Sequence, residues 1–222
     1  MGREYTREIE IRSEIRTLGE TILIDEVEKV ALFWDTSGTG NFLIEVDTSQ
    51  SQTGPASIHI RTQTTTPGIG NSADISRNVF TRESQGIKLT AVALAITGTT
   101  GPIIQFDIIS SNLSDIYEFT IRLDVNANKV TYLNSGGTFS DAPDGAGLAT
   151  EGFWHQVELK VNRETGKYGK VIVNGRDIGI KGISARRLGA GTEQYVQTTI
   201  GLRTQAAASE ETYIDRVLLE ED

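Results

Sequence analysis

Glu45 and Asp47 stand two residues apart in Phe42-Leu43-Ile44-Glu45-Val46-Asp47, so on a strand both carboxylates leave the same face. Paired carboxylates about 5 to 9.5 Å apart are what acid–base cleavage of a glycosidic bond requires. The alternation then brings Ser49 rather than another acid, and the pair reads equally as a solvated acidic strand face. Glu26 and Glu28 share the spacing and lead only to Val30. His59 and His155 are the bases that a Ser or Thr nucleophile would need. His59 alternates with Ile58 and Ile60 and should point away from their core face, while His155 follows Trp154 at a strand entrance; both are expected as surface or packing residues. Trp34 and Trp154 are the candidate ligand-binding residues, since an indole face can stack on a sugar ring; core packing at a strand start is their alternative. Asp25 and Asp215, in Leu23-Ile24-Asp25 and Tyr213-Ile214-Asp215, could share a calcium ion if the first and last strands are neighbours. Calcium needs further oxygen ligands that the sequence does not name, so no catalytic residue and no metal ligand is assigned.

Other chemistry is excluded by what is missing. There is no cysteine, so neither a disulfide framework nor a thiol nucleophile is available, and two histidines cannot complete a His/Cys zinc site. Gly136-Gly137 and Gly145 to Gly147 are not followed by Gly-Lys-Ser/Thr and read as turn glycines, not a phosphate cradle. No cofactor is expected. A formal net charge of −9 opposes nucleic-acid binding, which draws its affinity from Lys and Arg on phosphates. No apolar run approaches the eighteen or so residues that cross a bilayer, and the N-terminus lacks the apolar stretch of a signal peptide. Gly2 and Thr6 match the myristoylation pattern by chance, and the Asn112-Leu113-Ser114 sequon carries little weight without a secretory signal.

The elements that must position these residues show period two. Phe119, Ile121, Leu123 and Val125 fall on one strand face and Thr120, Arg122 and Asp124 on the other; Val157, Leu159 and Val161 repeat the pattern, as do Ile58 and Ile60. Lys170 to Ile180 carries Asn174-Gly175 between two β-rich runs, which predicts a type I′ hairpin. Further strands are predicted around Ile22–Ile24, Ala31–Trp34, Phe42–Asp47, Ile75–Phe80, Lys88–Ile96, Ile103–Ile109, Lys129–Leu133, Thr198–Thr204 and Tyr213–Leu219, with loops at Thr62–Ala73, Asn134–Gly152 and Thr204–Glu211. Glu4 to Leu18 suits a strand, an extended arm or a helix face, with the extended forms favoured. Hydrophobic residues at 37% supply a core, and 222 residues without a fixed-period repeat fit one sandwich rather than a solenoid. The expected fold is therefore all-β, a two-sheet antiparallel β-sandwich, with residues 1–20 an arm or extra strand and residues 21–222 the jelly-roll domain.

Gly152-Phe153-Trp154-His155-Gln156-Val157-Glu158-Leu159-Lys160-Val161 resembles the strand of concanavalin A-like lectin and laminin-G-like domains that begins with a Trp-His pair. Thr165-Gly166-Lys167, then Val171-Ile172-Val173-Asn174-Gly175-Arg176, is similar to their hairpin with Asn-Gly at its tip, and Tyr213-Ile214-Asp215-Arg216-Val217 to their terminal strand. The resemblance covers about Tyr117 to Glu220 and implies a concanavalin A-like jelly roll. Such domains include lectins, glucanases, adhesion modules and bacteriophage structural proteins, and the fold does not choose among them. The glucanases use Glu-x-Asp-x-Glu, which Ser49 leaves incomplete here. The expectation is a non-enzymatic structural or decoration protein of a phage particle, located in the virion and contacting copies of itself or other virion proteins through its strand edges and charged arm. The alternative is a carbohydrate-binding module, cytoplasmic or at a cell surface, using Trp34, Trp154 and the Asn134–Gly152 loop. A glycan hydrolase built on Glu45 and Asp47 ranks last.

Overall fold

The computed structural model describes residues 21–25, 34–52, 54–62, 71–79, 85–96, 101–205 and 209–221. Among them are sixteen strands and no helix: β1 (Thr21–Asp25), β2 (Asp35–Thr39), β3 (Phe42–Asp47), β4 (Ser57–Thr62), β5 (Ser72–Val79), β6 (Gly86–Ala95), β7 (Ile103–Asn112), β8 (Ile116–Asp124), β9 (Lys129–Leu133), β10 (Phe139–Ala146), β11 (Trp154–Asn162), β12 (Lys167–Val173), β13 (Arg176–Asp177), β14 (Arg186–Gly189), β15 (Gln194–Arg203) and β16 (Glu211–Glu221). They form two antiparallel sheets. The first runs β13-β12-β11-β6-β16-β4-β3, with β1 also paired to β16; the second runs β10-β9-β8-β7-β15-β5-β2, with β14 also paired to β8. This is the expected two-sheet jelly-roll sandwich.

Alternation decides what lies between the sheets. Ile58 and Ile60 of β4, Leu89 and Ala91 of β6, Val157, Leu159 and Val161 of β11, and Ile214, Val217 and Leu219 of β16 meet Ile75, Phe106, Ile108, Phe119, Ile121, Ile200 and Leu202 from the other sheet in one buried core. Each large aliphatic or aromatic side chain so buried contributes about 1.5–3 kcal/mol. Tyr168 ties the layers together with hydrogen bonds as well. From β12 its hydroxyl accepts the Thr120 N–H at 3.0 Å and reaches the Leu133 carbonyl of β9 at 2.9 Å, and burial pushes its ionisation well up.

The predicted hairpin is present, with Asn174 at φ 53° and Gly175 at φ 79°, as a type I′ turn requires. Three strands depart from expectation. β2, Asp-Thr-Ser-Gly-Thr, is exposed throughout and has no apolar face to announce it. β10 lies inside the segment read as the Asn134–Gly152 loop; it is an edge strand whose pairing with β9 breaks between Asp141 and Ala146, which is where Pro143 sits. β14 is four residues joined to the start of β8. Residues 1–20, the expected arm, and most of the Ala31–Trp34 strand lie outside the described residues.

Candidate ligand-binding face

The outer face of the first sheet carries the chemistry. Because Ile58 and Ile60 turn inward, His59 turns outward from β4, and the antiparallel register sets it beside Glu45 of β3 on one side and Tyr213 of β16 on the other. Tyr213 pairs in turn with Leu94 of β6, and Leu94 with Trp154 of β11. Trp154, Leu94, Tyr213, His59 and Glu45 therefore form one cross-strand row, the arrangement through which neighbouring strands stabilise one another. Leu94 and Tyr213 are buried without belonging to the core between the sheets, so the outer face has an apolar floor of its own.

His59 is 7% exposed, deeper than a surface histidine. Its ring lies flat on Tyr213, its Nδ1 is 3.4 Å from a Glu45 carboxylate oxygen, and its Nε2 is 3.2 Å from one of Glu211. Asp47 stands nearby; the Ser49 hydroxyl and N–H both donate to its carboxylate and hold it below the usual range. The ligand atoms of Glu45, Asp47 and His59 lie within 4.8 Å of one another. One imidazole nitrogen and two carboxylates form a donor set that suits a transition-metal dication better than calcium.

At the other end of the row Trp154 is half-buried, and the preceding Phe153 is 63% exposed. Together with Thr150, His155 and Asn174 they line a cleft of about 420 Å³. The wall is fixed by the hairpin tip: the Asn174 amide donates to the Leu148 carbonyl at 3.2 Å and to His155 Nδ1 at 2.9 Å, and its carbonyl oxygen accepts the Gln156 N–H. His155 Nε2–H donates to the Thr150 carbonyl at 2.7 Å. Buried at 1% exposure, its imidazole is held toward the neutral form by desolvation. It is a packing histidine, and no described Ser or Thr hydroxyl makes a hydrogen bond to it.

The other sequence candidates fall elsewhere. Trp34 is 5% exposed and belongs to the sandwich core, so its ring is not offered to a sugar; the strand-start packing alternative describes it. Asp215 is fully buried at a β-bulge of β16, where one carboxylate oxygen accepts the Gln52 N–H at 2.9 Å. Asp25 sits on the neighbouring strand as proposed, but opposite Val217 rather than Asp215. Tyr213, Glu211 and Phe153 were not singled out from the sequence. Tyr213 had a readable signal, since it alternates with the inward Ile214.

No protein-family model matches the chain, and no curated protein sequence does. Solved structures do. The endo-β-1,4-glucuronan lyase of the fungus Trichoderma reesei superposes with a TM-score of 0.65 at 12% identity, covering 91% of this chain and 96% of that one. Cellulose-induced protein Cip1 gives 0.61 at 12% identity, covering 90% and 97%. The globular domain of T. cruzi calreticulin gives 0.51 at 10% identity, covering 91% and 88%. At these identities the likeness is one of fold: the chain has the β-sandwich architecture of these proteins, consistent with the concanavalin A-like resemblance.

Proposed function

We propose that the protein binds carbohydrate on the outer face of its first sheet, with Phe153 and Trp154 as the apolar platform. The observation that carries this reading is the exposure of Phe153 beside a half-buried Trp154 in a cleft braced by Asn174. A large exposed aromatic has a cost in water unless a ligand covers it, and sugar rings present an apolar face of matching size. The fold shared with a glucuronan lyase and with a cellulose-induced protein supports the same reading. Glycan binding therefore goes ahead of the particle-building role, whose expected contact arm lies outside the described residues.

The protein holds its glycan without cleaving it. Ser49 stands where the carboxylate pattern of a glucanase continues, and it donates to Asp47 instead. The test is affinity electrophoresis and calorimetry against a panel of plant, fungal and bacterial glycans. Wild type should bind at least one; Phe153→Ala and Trp154→Ala should each weaken it by about tenfold, the scale of a lost ring-stacking contact. Reducing ends released by wild type, or wild-type affinity in both variants, would contradict the reading.

A further inference from the structure

Four of the chain's seven lysines, Lys160, Lys167, Lys170 and Lys181, line a single cleft of about 450 Å³. This is notable in a protein of formal charge −9, and no Asp or Glu contributes to that lining among the described residues. The two described lysines outside the cleft lie beside acids: Lys88 by Glu220 at 2.6 Å and Lys129 by Asp141 at 2.7 Å. Lys167, Lys170 and Lys181 stand exposed. Gathering like charges raises the energy of the folded state unless an anion is bound among them.

The cleft is shaped by the backbone. The β11–β12 pairing shifts register between Leu159 and Val161, and the resulting bulge puts Gly169 and Lys170 against Lys160. A Cβ at Gly169 would come 2.8 Å from Lys160 Cγ and 3.0 Å from its carbonyl oxygen, so the floor stays bare. The turn at Lys181-Gly182 is folded back onto β12 by the Gly182 N–H donating to the Tyr168 carbonyl at 2.8 Å, which brings the fourth ammonium group to the rim.

Lys160 leaves the same face of β11 as Trp154, since both alternate with the inward Val157, Leu159 and Val161. Six residues of strand separate them by about 20 Å. We infer that the lysine cleft is a second subsite on this face and takes the sulfate or carboxylate groups of an acidic polysaccharide whose chain continues to the Phe153–Trp154 platform. The sugar part of this inference rests on the carbohydrate-binding reading, whereas the anion part rests on the lysines alone.

The test titrates the full chain with a heparin-derived hexasaccharide, hexagalacturonate, neutral cellohexaose and a short DNA duplex at low and at high sodium chloride. Wild type should bind one of the two acidic saccharides, more weakly at high salt, as exposed ion pairs require. Lys167→Glu combined with Lys181→Glu should weaken that binding about tenfold or more at low salt. Lys129→Glu, remote from the cleft, should not, and a cooperative melting transition in each variant will show that it folds. Equal binding by the double variant overturns the inference, as does DNA binding as tight as that of the saccharides. Binding of cellohexaose alone also overturns it, while leaving the aromatic platform standing. Binding of an acidic saccharide that is lost in the lysine variant but unaffected by Trp154→Ala supports the lysine site and removes the platform instead.

Discussion

The His59 imidazole lies flat on the Tyr213 ring, with centroids 4.4 Å apart and planes 8° from parallel. The contact joins β4 to β16 outside the core, and Glu45 and Glu211 hold the imidazole edge from its two sides. Tyr213→Phe should keep the stack and leave the melting temperature nearly unchanged. Tyr213→Ala should cost about 3 kcal/mol, the scale of a buried ring removed. An alanine variant as stable as wild type would show that the stack contributes nothing to the sheet.

Tyr168 should behave differently on loss of a single atom. Its hydroxyl accepts the buried Thr120 N–H, and Tyr168→Phe leaves that donor with no acceptor in its place. The expected loss is about 1–3 kcal/mol, a fall of several degrees in melting temperature for a chain of this size.

Asp107 predicts a pH dependence. It sits on the outer face of the second sheet, where Arg122 donates to the side-chain oxygen of Gln105 and the side-chain NH2 of Gln105 donates to Asp107. Burial nevertheless raises its pKa from 3.8 to about 6, against the opposing pull of Gln105, Thr120 and Arg203. The folded state holds this proton more tightly than the unfolded one, so the stabilisation is fully present below pH 3.8 and is lost as pH rises through 6. Asp107→Asn should flatten the stability profile between those values and gain up to about 3 kcal/mol at pH 7. A variant whose denaturation midpoint keeps the wild-type slope across that interval would refute the assignment.

Asn174 combines a left-handed backbone with a bridging side chain, and two substitutions separate the roles. Asn174→Gly keeps the turn and removes the bracing of the cleft; it should weaken glycan binding with little change in stability. Asn174→Ala strains the turn as well and should cost about 1 kcal/mol more.

Much of the sandwich was legible because burying one face of a strand imposes a period of two: the strands holding Ile58, Phe119 and Val157 face inward as their patterns require. β2 and β10 were not legible, since an edge strand with little apolar surface leaves no periodic trace. The site was half legible. Glu45, Asp47 and Trp154 were identified locally, but Glu211 reaches His59 across 152 residues of sequence, through a register that no local pattern records. The lysines follow no period, and it takes a bulge and a turn to gather them.

β16 lies inside the first sheet, between β6 on one side and β4 and β1 on the other, yet it follows every other described strand in the chain. Until it emerges from the ribosome, β6 and β4 have open edges and the core lacks Ile214, Val217 and Leu219. The sheet is therefore zipped shut from its middle by the last of its described strands to be synthesised, and folding must wait for translation to reach it. Both proposed subsites inherit that timing, because β11 is anchored through β6 to this same strand. A nascent chain stalled before Glu211 should remain sensitive to protease and bind no glycan, however complete its aromatic and lysine residues already are.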